Sequence, residues 1–314
     1  MAKTKLRDLV VILPGITGSV LQKDGKDVWN FSGQSLWQLV QTQGKSLQDL
    51  KITGNDPGTE DLGDGIRATS LVSGSHIIPK LEKVLSGYYI TSQMIRDNFE
   101  TIEGSISNEQ SANFFEFPYD WRRDNRVNAR LLKTFLDRRL KLWRDHTGLT
   151  DAKVILLAHS MGGLISRYYL EVLEGWQDCK ALFTFGTPYR GSLAAVDVLA
   201  NGLDLLKLVD LSDMLRSLPS VYQLLPRHTV LSVGSSYESI AQTTQPLPNI
   251  DRDKALDAWN FYGEIEAAVK RHLNDASYLK SYKTIPIVGI EQTTKQSAIQ
   301  IGRASCRERV LMPV

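Results

Sequence analysis

Residues 154–164 read Val154-Ile155-Leu156-Leu157-Ala158-His159-Ser160-Met161-Gly162-Gly163-Leu164, and this stretch decides the fold. Its leading apolar residues predict a buried strand, and the residues after Ser160 predict the start of a helix. The stretch therefore has the form of the G-x-S-x-G elbow, with Ala158 at the first glycine position. The positions two before and two after the serine crowd together in such a turn, so only small residues fit, here Ala158 and Gly162. Ser160 is predicted to project above the sheet as a nucleophile.

The same turn gives expectations for the neighbours of Ser160. The helix that follows aims its N-terminus at the reaction centre, where its dipole stabilises developing negative charge. The backbone N–H of Met161 is placed to donate to an oxyanion, and a second donor is expected from the glycine-containing loop 13–19. A plain tight turn would have the same loop sequence, so the loop alone does not decide. His159 is not predicted as the base, because in this fold the base follows the nucleophile along the chain.

The elements predicted around the elbow alternate between strand and helix. Apolar residues at three- and four-residue spacing predict a long helix over about 125–146 that stops at Gly148, and another helix follows the elbow over about 162–174. Apolar runs predict strands over 9–13, 114–118, 154–158, 181–185 and 282–290. This order predicts the α/β class, with a mostly parallel sheet and helices on both faces.

Composition excludes several classes of protein. Of the 314 residues 42% are hydrophobic and 23% charged, with a net charge of +2 and no basic cluster that would follow nucleic acid. The cysteines are two, Cys179 and Cys306, and the five histidines form no i, i+4 pair, so neither a disulfide framework nor a metal site is expected. No cofactor is expected. No apolar run approaches the roughly 18 residues of a membrane span, and the expected location is cytoplasmic.

A single domain is expected over 1–300, with two inserted parts. Residues 24–75 are rich in Gly, Asp, Ser and Gln and are interpreted as a lid-like insertion. Residues 191–280 carry mostly helical signals and are interpreted as a helical cap. The lid-like insertion contains an apolar cluster that is either a small satellite core or a lipid-facing lid, formed by Trp29, Phe31, Leu36, Trp37, Leu39 and Val40.

Four segments together resemble the lecithin:cholesterol acyltransferase family in their order and spacing. They are 12–19 (Ile-Leu-Pro-Gly-Ile-Thr-Gly-Ser), 118–122 (Pro-Tyr-Asp-Trp-Arg), 158–163 (Ala-His-Ser-Met-Gly-Gly) and 186–192 (Gly-Thr-Pro-Tyr-Arg-Gly-Ser). The resemblance extends over about residues 9–290, and the string at 118–122 is its most specific part. It implies an α/β-hydrolase fold with a cap, which acts on lipid or other acyl esters through an acyl-enzyme.

Carried over by position, the resemblance implies roles for individual residues. Ser160 corresponds to the nucleophile, and Thr17 and Met161 correspond to the two backbone oxyanion donors. A further segment, which borders the active site and supports it without taking part in the chemistry, is matched by Asp120, Trp121 and Arg122. The cysteines that secreted animal members pair are not evident here, which fits an intracellular version.

This chain departs from the family at the positions of the catalytic Asp and His. They come several tens of residues after the strand that corresponds to 282–290, and residues 291–314 contain neither Asp nor His. Both are therefore expected to be absent from this chain, whose C-terminal part is interpreted as truncated. Residues 301–310 are dense in arginine, lack apolar periodicity and resemble one reading frame of a common sequencing-adapter oligonucleotide. A non-native tail is expected over 301–314, and Cys306 would belong to it.

Two sets of residues within the chain keep the required order of nucleophile, acid and base. They are Asp213 with His228, and one of Asp251, Asp253 or Asp257 with His272. The function predicted from all these features is serine-dependent acyl transfer or hydrolysis of lipid or other carboxylic esters. The alternatives are an esterase of non-lipid substrates and a non-catalytic binding module of the same fold. The expected partners are an acyl ester, phospholipids included, and a membrane surface contacted peripherally; nucleic acid is not expected.

Overall fold

A computed structural model describes residues 2–30, 49–54, 57–72, 79–205, 209–289 and 294–300, together with the backbone of 310–311. The helices of this part are, in chain order, α1 (Pro79–Asn98), α2 (Asn125–Thr147), α3 (Met161–Glu171), α4 (Leu193–Asn201), α5 (Ser212–Ser217), α6 (Pro219–Tyr222) and α7 (Arg252–His272). Its strands are β1 (Thr4–Lys5), β2 (Leu9–Leu13), β3 (Ser19–Lys23), β4 (Lys26–Trp29), β5 (Ile66–Leu71), β6 (Phe99–Glu100), β7 (Glu103–Gly104), β8 (Phe114–Glu116), β9 (Val154–His159), β10 (Cys179–Phe185), β11 (Asp204–Leu205), β12 (Val209–Asp210), β13 (Thr229–Val233), β14 (Ser236–Ser239), β15 (Lys283–Ile287), β16 (Ala298–Gln300) and β17 (Val310–Leu311).

The central sheet has six strands in the order β15-β10-β9-β2-β8-β7, and every neighbouring pair is parallel. This confirms the α/β class. All five residues of β2 are buried, as the continuous apolar run predicts for a strand covered on both faces. Leu13 at the end of β2 pairs with Ala158 of β9, so the 13–19 loop and the elbow leave the same edge of the sheet side by side.

Helices cover both faces of the sheet, as predicted. Strand β8 shows this because neighbouring residues in a strand point to opposite faces. Phe114 lies under the guanidinium of Arg96 from α1, at 5.5 Å from the ring centroid. Phe115 packs edge-on against Phe135 of α2, with 5.2 Å between ring centroids. Helices α2 and α7 both contact α3, so these three helices share the face opposite α1.

The long predicted helix is present as α2, and its ends have identifiable caps. The Asp124 side chain accepts a hydrogen bond from the Arg126 N–H at the N-terminus, and Gly148 ends the helix with a φ of 71°. A left-handed residue at this position is a common helix stop and favours glycine. Helix α3 ends at Glu171, three residues before the predicted end at 174, and Glu174 has a left-handed φ of 58°.

The two inserted parts contain strands that the sequence did not predict. Strands β11 to β14 lie within 191–280, beside the helices that the mostly helical signals predict. Strands β4 and β5 lie within 24–75 and flank β3 in an antiparallel sheet. Trp29 is buried in the core, whereas the rest of its apolar cluster lies outside the described residues. The backbone of β17 pairs with β16, and the remainder of 301–314 also lies outside them.

No helix within the described ranges has the length and apolar character needed to cross a membrane.

Candidate active site

Ser160 lies in the turn between β9 and α3, with a φ of 49° and a ψ of −118°. A positive φ in a residue other than glycine costs on the order of 1–3 kcal/mol and persists only where the surroundings hold it. Two backbone hydrogen bonds do so here. The Ser160 N–H donates to the Phe185 carbonyl at 2.9 Å, and the Ser160 carbonyl accepts from the Gly163 N–H at 3.0 Å. The strained turn is therefore fixed to β10 on one side and to α3 on the other.

The 13–19 loop packs directly against this turn. A Cβ atom added to Gly162 would lie 2.5 Å from the Pro14 carbonyl oxygen, and one added to Gly15 would lie 3.0 Å from the Ser160 Cβ. The first distance is too short for a real Cβ contact, and the second is tighter than nearly all such contacts. The sequence predicts a small residue at 162 because of crowding against Ala158. In the structure, the atoms nearest to a Cβ at this position belong to Pro14 and Leu13.

Two tyrosines hold one peptide group of this loop, the group that joins Pro14 to Gly15. At one end the Tyr119 hydroxyl donates to the Pro14 carbonyl at 2.7 Å. At the other end the Gly15 N–H donates to the Tyr88 hydroxyl oxygen at 2.9 Å. We call this arrangement the tyrosine clamp. Because the two bonds act on opposite edges of one planar unit, the peptide cannot rotate without breaking one of them.

Two tryptophans support the next part of the loop. Thr17 has a φ of 62°, which is unusual for a β-branched residue and indicates strain. Its carbonyl accepts a hydrogen bond from the Trp29 indole at 3.1 Å, and the Trp29 ring packs on Trp121 with 4.9 Å between centroids. The Trp121 indole in turn donates to the Ser19 carbonyl at 3.2 Å. Neither the Thr17 N–H nor the Met161 N–H donates a hydrogen bond within the described part of the chain.

Asp120 and Arg122 form a buried ion-pair network beside the loop. The Arg122 side chain is fully buried and lies 2.6 Å from Asp120 and 2.9 Å from Asp64. Burial acts to lower the pKa of Arg122, but its hydrogen bonds to the two carboxylates outweigh this effect and raise the pKa. Arg122 therefore joins Asp120 to the 57–72 segment, and the Asp120 carboxylate is committed to this ion pair.

The His159 side chain lies between the 13–19 loop and α1, because a Cβ atom added to Gly15 would meet its Nδ1 atom at 2.8 Å. Its Nδ1 atom lies 2.7 Å from the Tyr88 hydroxyl oxygen, and burial lowers its pKa. A cavity of about 290 Å³ adjoins both side chains and is lined otherwise by Ile12, Leu13, Gly87, Thr91, Leu157 and Phe185.

None of the internal acid and base alternatives makes a hydrogen bond or ion pair with Ser160 among the described residues. His272 lies against Glu171 at the far end of α3, an eleven-residue helix, and 1.5 Å of rise per residue puts that end about 16 Å from the elbow. Two of the carboxylates that would orient a base are engaged elsewhere, and the third, Asp253, is exposed. Asp251 caps α7, and Asp257 lies 3.1 Å from Arg126.

The other pairing is equally unsupported. Asp213 is largely exposed and pairs with Lys51 at 3.4 Å, and His228 is exposed and makes no hydrogen bond to any described residue. Among the described residues there is also no group of three or more His, Cys, Asp or Glu side chains that could hold a metal ion.

The parallel sheet and the strand–serine–helix turn define an α/β-hydrolase-like protein. The sequence model of the family described as lecithin:cholesterol acyltransferase matches residues 66–283, and the chain belongs to this family. No curated protein matches the chain. Fourteen chains of solved structures do. One, from the crystal structure of the Tle4–Tli4 complex, has a TM-score of 0.53 at 15% identity, over 85% of this chain and 73% of that one. That likeness shows the fold, and the family supports an acyltransferase or esterase type of enzyme.

Proposed function

We propose that this protein transfers the acyl group of a carboxylic ester to water or an alcohol through an acyl-enzyme on Ser160. The observation that carries this proposal is the strained elbow, in which Ser160 has a φ of 49° directly before the N-terminus of α3. In the proposed step the Ser160 Oγ attacks the ester carbonyl and gives its proton to a base. The alcohol leaves with a proton, and the acyl group stays on Oγ until water or a second alcohol takes it.

The oxyanion that forms in this step needs donors close to Ser160. The backbone N–H groups of Met161 and Thr17 are proposed for this role, because both lack another partner in the described chain and both belong to segments that pack around the elbow. The partial positive charge at the N-terminus of α3 adds to their effect. Loss of one such donor typically lowers kcat about 10²–10³-fold.

The base and its orienting carboxylate are proposed to come from sequence beyond this chain. Two observations support this. Residues 291–314 contain no Asp and no His, and no described histidine makes a hydrogen bond or ion pair with Ser160. Loss of triad function in a serine hydrolase lowers kcat on the order of 10⁶-fold, so the 314-residue chain is expected to be nearly inactive.

Lipid esters are the proposed substrate class, on the support of the family description, which names lecithin and cholesterol. Whether water or an alcohol takes the acyl group depends on which of them reaches the acyl-enzyme. We propose peripheral contact with a membrane surface for delivery of the substrate, and a cytoplasmic location.

The test uses an extended chain, in which residues from about 300 onward are replaced by the natural continuation of the gene. Turnover of p-nitrophenyl esters of increasing chain length should rise with acyl length, and Ser160→Ala should abolish it without a change in thermal midpoint. If Ser160→Ala kept more than a few per cent of the turnover rate, the serine mechanism would be excluded. A preference for acetate over long acyl chains would support a non-lipid esterase instead.

A fluorophosphonate probe tests the missing base separately. The probe should label Ser160 of the extended chain rapidly and Ser160 of the 314-residue chain slowly, because the hydroxyl of the latter is not activated. Equal labelling of the two chains would mean that the base lies within residues 1–314.

A further inference from the structure

We propose that Tyr88 and His159 are positioning residues of the active site, which together set the orientation of the Pro14–Gly15 peptide and so of the 13–19 loop. Tyr88 holds the peptide through the tyrosine clamp, and His159 fixes the direction of the Tyr88 hydroxyl proton. This inference rests on the proposed function, because it concerns the loop that carries the proposed Thr17 donor.

The clamped peptide packs directly against the elbow that carries Ser160. The Pro14 carbonyl oxygen limits residue 162 to glycine, and Gly15 lies against the Ser160 Cβ. Rotation of this peptide would change the direction in which the chain enters Ile16 and Thr17, two residues later. Because catalytic geometry is sensitive to displacements of about 1 Å, a small rotation here is sufficient to misplace the Thr17 N–H.

The hydrogen-bond pattern determines where the protons lie. The Tyr88 oxygen accepts from the Gly15 N–H, which can only donate. The single Tyr88 proton therefore needs an acceptor elsewhere, and among the described residues the acceptor within reach is the His159 Nδ1 at 2.7 Å. His159 must then be neutral, with its own proton on Nε2. A proton on Nδ1 would leave the Tyr88 hydroxyl proton without an acceptor among the described residues.

The surroundings favour this state. Burial raises the pKa of Tyr88 to about 12 and lowers the pKa of His159, so both groups are neutral near pH 7. The other described residues that line the adjoining cavity come from β2, β9, β10 and α1, and none of them is titratable. The arrangement is therefore a neutral relay from a backbone N–H through a phenol to an imidazole.

The kinetic test compares matched variants of the extended chain on a soluble ester. Tyr88→Phe should lower kcat about 10- to 100-fold with little change in KM, because the loop is misplaced in the transition state while substrate binding is kept. The control is Tyr222→Phe. Tyr222 is also buried, and its hydroxyl also accepts a backbone N–H, that of Asp251, at 3.2 Å. Tyr222→Phe should lose comparable stability and keep kcat.

A second pair tests the acceptor on His159. His159→Asn places an amide oxygen near the position of Nδ1 and should keep most of kcat, whereas His159→Leu removes the acceptor and should match Tyr88→Phe. Equal loss in the two His159 variants, or a normal kcat in Tyr88→Phe, would overturn the inference.

Nitrogen NMR of the labelled 314-residue chain gives a readout that does not depend on activity. His159 should show an unprotonated Nδ1 and a protonated Nε2 at neutral pH; a protonated Nδ1 would overturn the inference. The Ser160→Ala variant distinguishes failure of the proposed function from failure of the positioning role. Residual turnover in Ser160→Ala would refute the proposed function, whereas an inactive Ser160→Ala beside a fully active Tyr88→Phe would refute the positioning role alone.

Discussion

The Nδ1 atom of His272 lies 3.5 Å from the Oε2 atom of Glu171, at the end of α3 opposite to Ser160. Glu171 is almost completely buried, and it also accepts hydrogen bonds from the hydroxyls of Tyr278, at 3.0 Å, and Tyr282. One helix therefore has the candidate nucleophile immediately before its first residue and a hydrogen-bonded buried carboxylate at its last residue. This second cluster anchors α7 and the segment before β15 to the core.

His272→Ala should therefore weaken the fold and leave catalysis unchanged. The expected loss is about 1–3 kcal/mol in the free energy of unfolding, because a buried carboxylate loses a neighbour and the rings of Trp176 and Tyr278 lose packing. Urea unfolding of the 314-residue chain measures this loss, and ester turnover of the extended chain measures activity. His228→Ala, at an exposed position, should change neither. Loss of turnover in a folded His272→Ala protein would reinstate His272 as the base.

Gly162→Ala should destabilise the protein by about 1–3 kcal/mol and lower the probe labelling of Ser160 in the extended chain. The added Cβ would meet backbone and not a flexible side chain, since it would lie 2.5 Å from the Pro14 carbonyl oxygen. Gly87→Ala is the matched control, because a Cβ on this α1 glycine meets no atom within 4 Å. Replacement of a helical glycine by alanine should stabilise by about 0.5–1 kcal/mol. If both variants unfold at the same denaturant concentration, the loop does not pack on the elbow as described.

His159 should make the protein less stable as the pH falls below neutrality. Burial lowers its pKa in the folded state below the unfolded value of about 6.5, so the unfolded chain binds more protons over this range. The stability from neutral His159 is present above about pH 6.5 and is lost as the pH falls towards the folded pKa. Unfolding free energies measured between about pH 7 and 5 should fall less steeply in His159→Asn, since most carboxylates titrate below this window. Parallel curves for the two proteins would contradict the prediction.

Trp37→Ala tests the lid interpretation of the 24–75 insertion, in a segment outside the described residues. If this segment faces lipid, the variant should bind phospholipid vesicles more weakly and still hydrolyse a short soluble ester at the normal rate. Trp29→Ala is the contrasting variant. Trp29 is buried against Trp121 and bonded to Thr17, so its loss should cost about 3–5 kcal/mol and impair both activities. Equal impairment by Trp37→Ala would make that residue part of the core too.

The middle of the central sheet could be predicted because a strand buried on both faces appears as an unbroken apolar run, such as Leu9–Leu13. Helix α1 was not predicted. Its outer side exposes Tyr89, Ile90 and Met94, which blur the alternation between an apolar and a polar face. The contact between Tyr88 and Gly15 could not be predicted from the sequence for another reason. It joins residues 73 positions apart, and no local pattern marks a phenol that will meet a particular backbone N–H.

Because residues 118–122 are largely buried, the presence of this string in a genome sequence indicates the fold and not the activity. Tyr119 bonds Pro14, Trp121 bonds Ser19, and Arg122 spans two carboxylates, so these side chains are committed to the scaffold. Descendants that had lost their hydrolytic capacity would still need the string to fold. A sequence search for this string therefore finds proteins that share the fold, whether or not they are active enzymes. Only the elbow, together with a base and an acid, can distinguish the two.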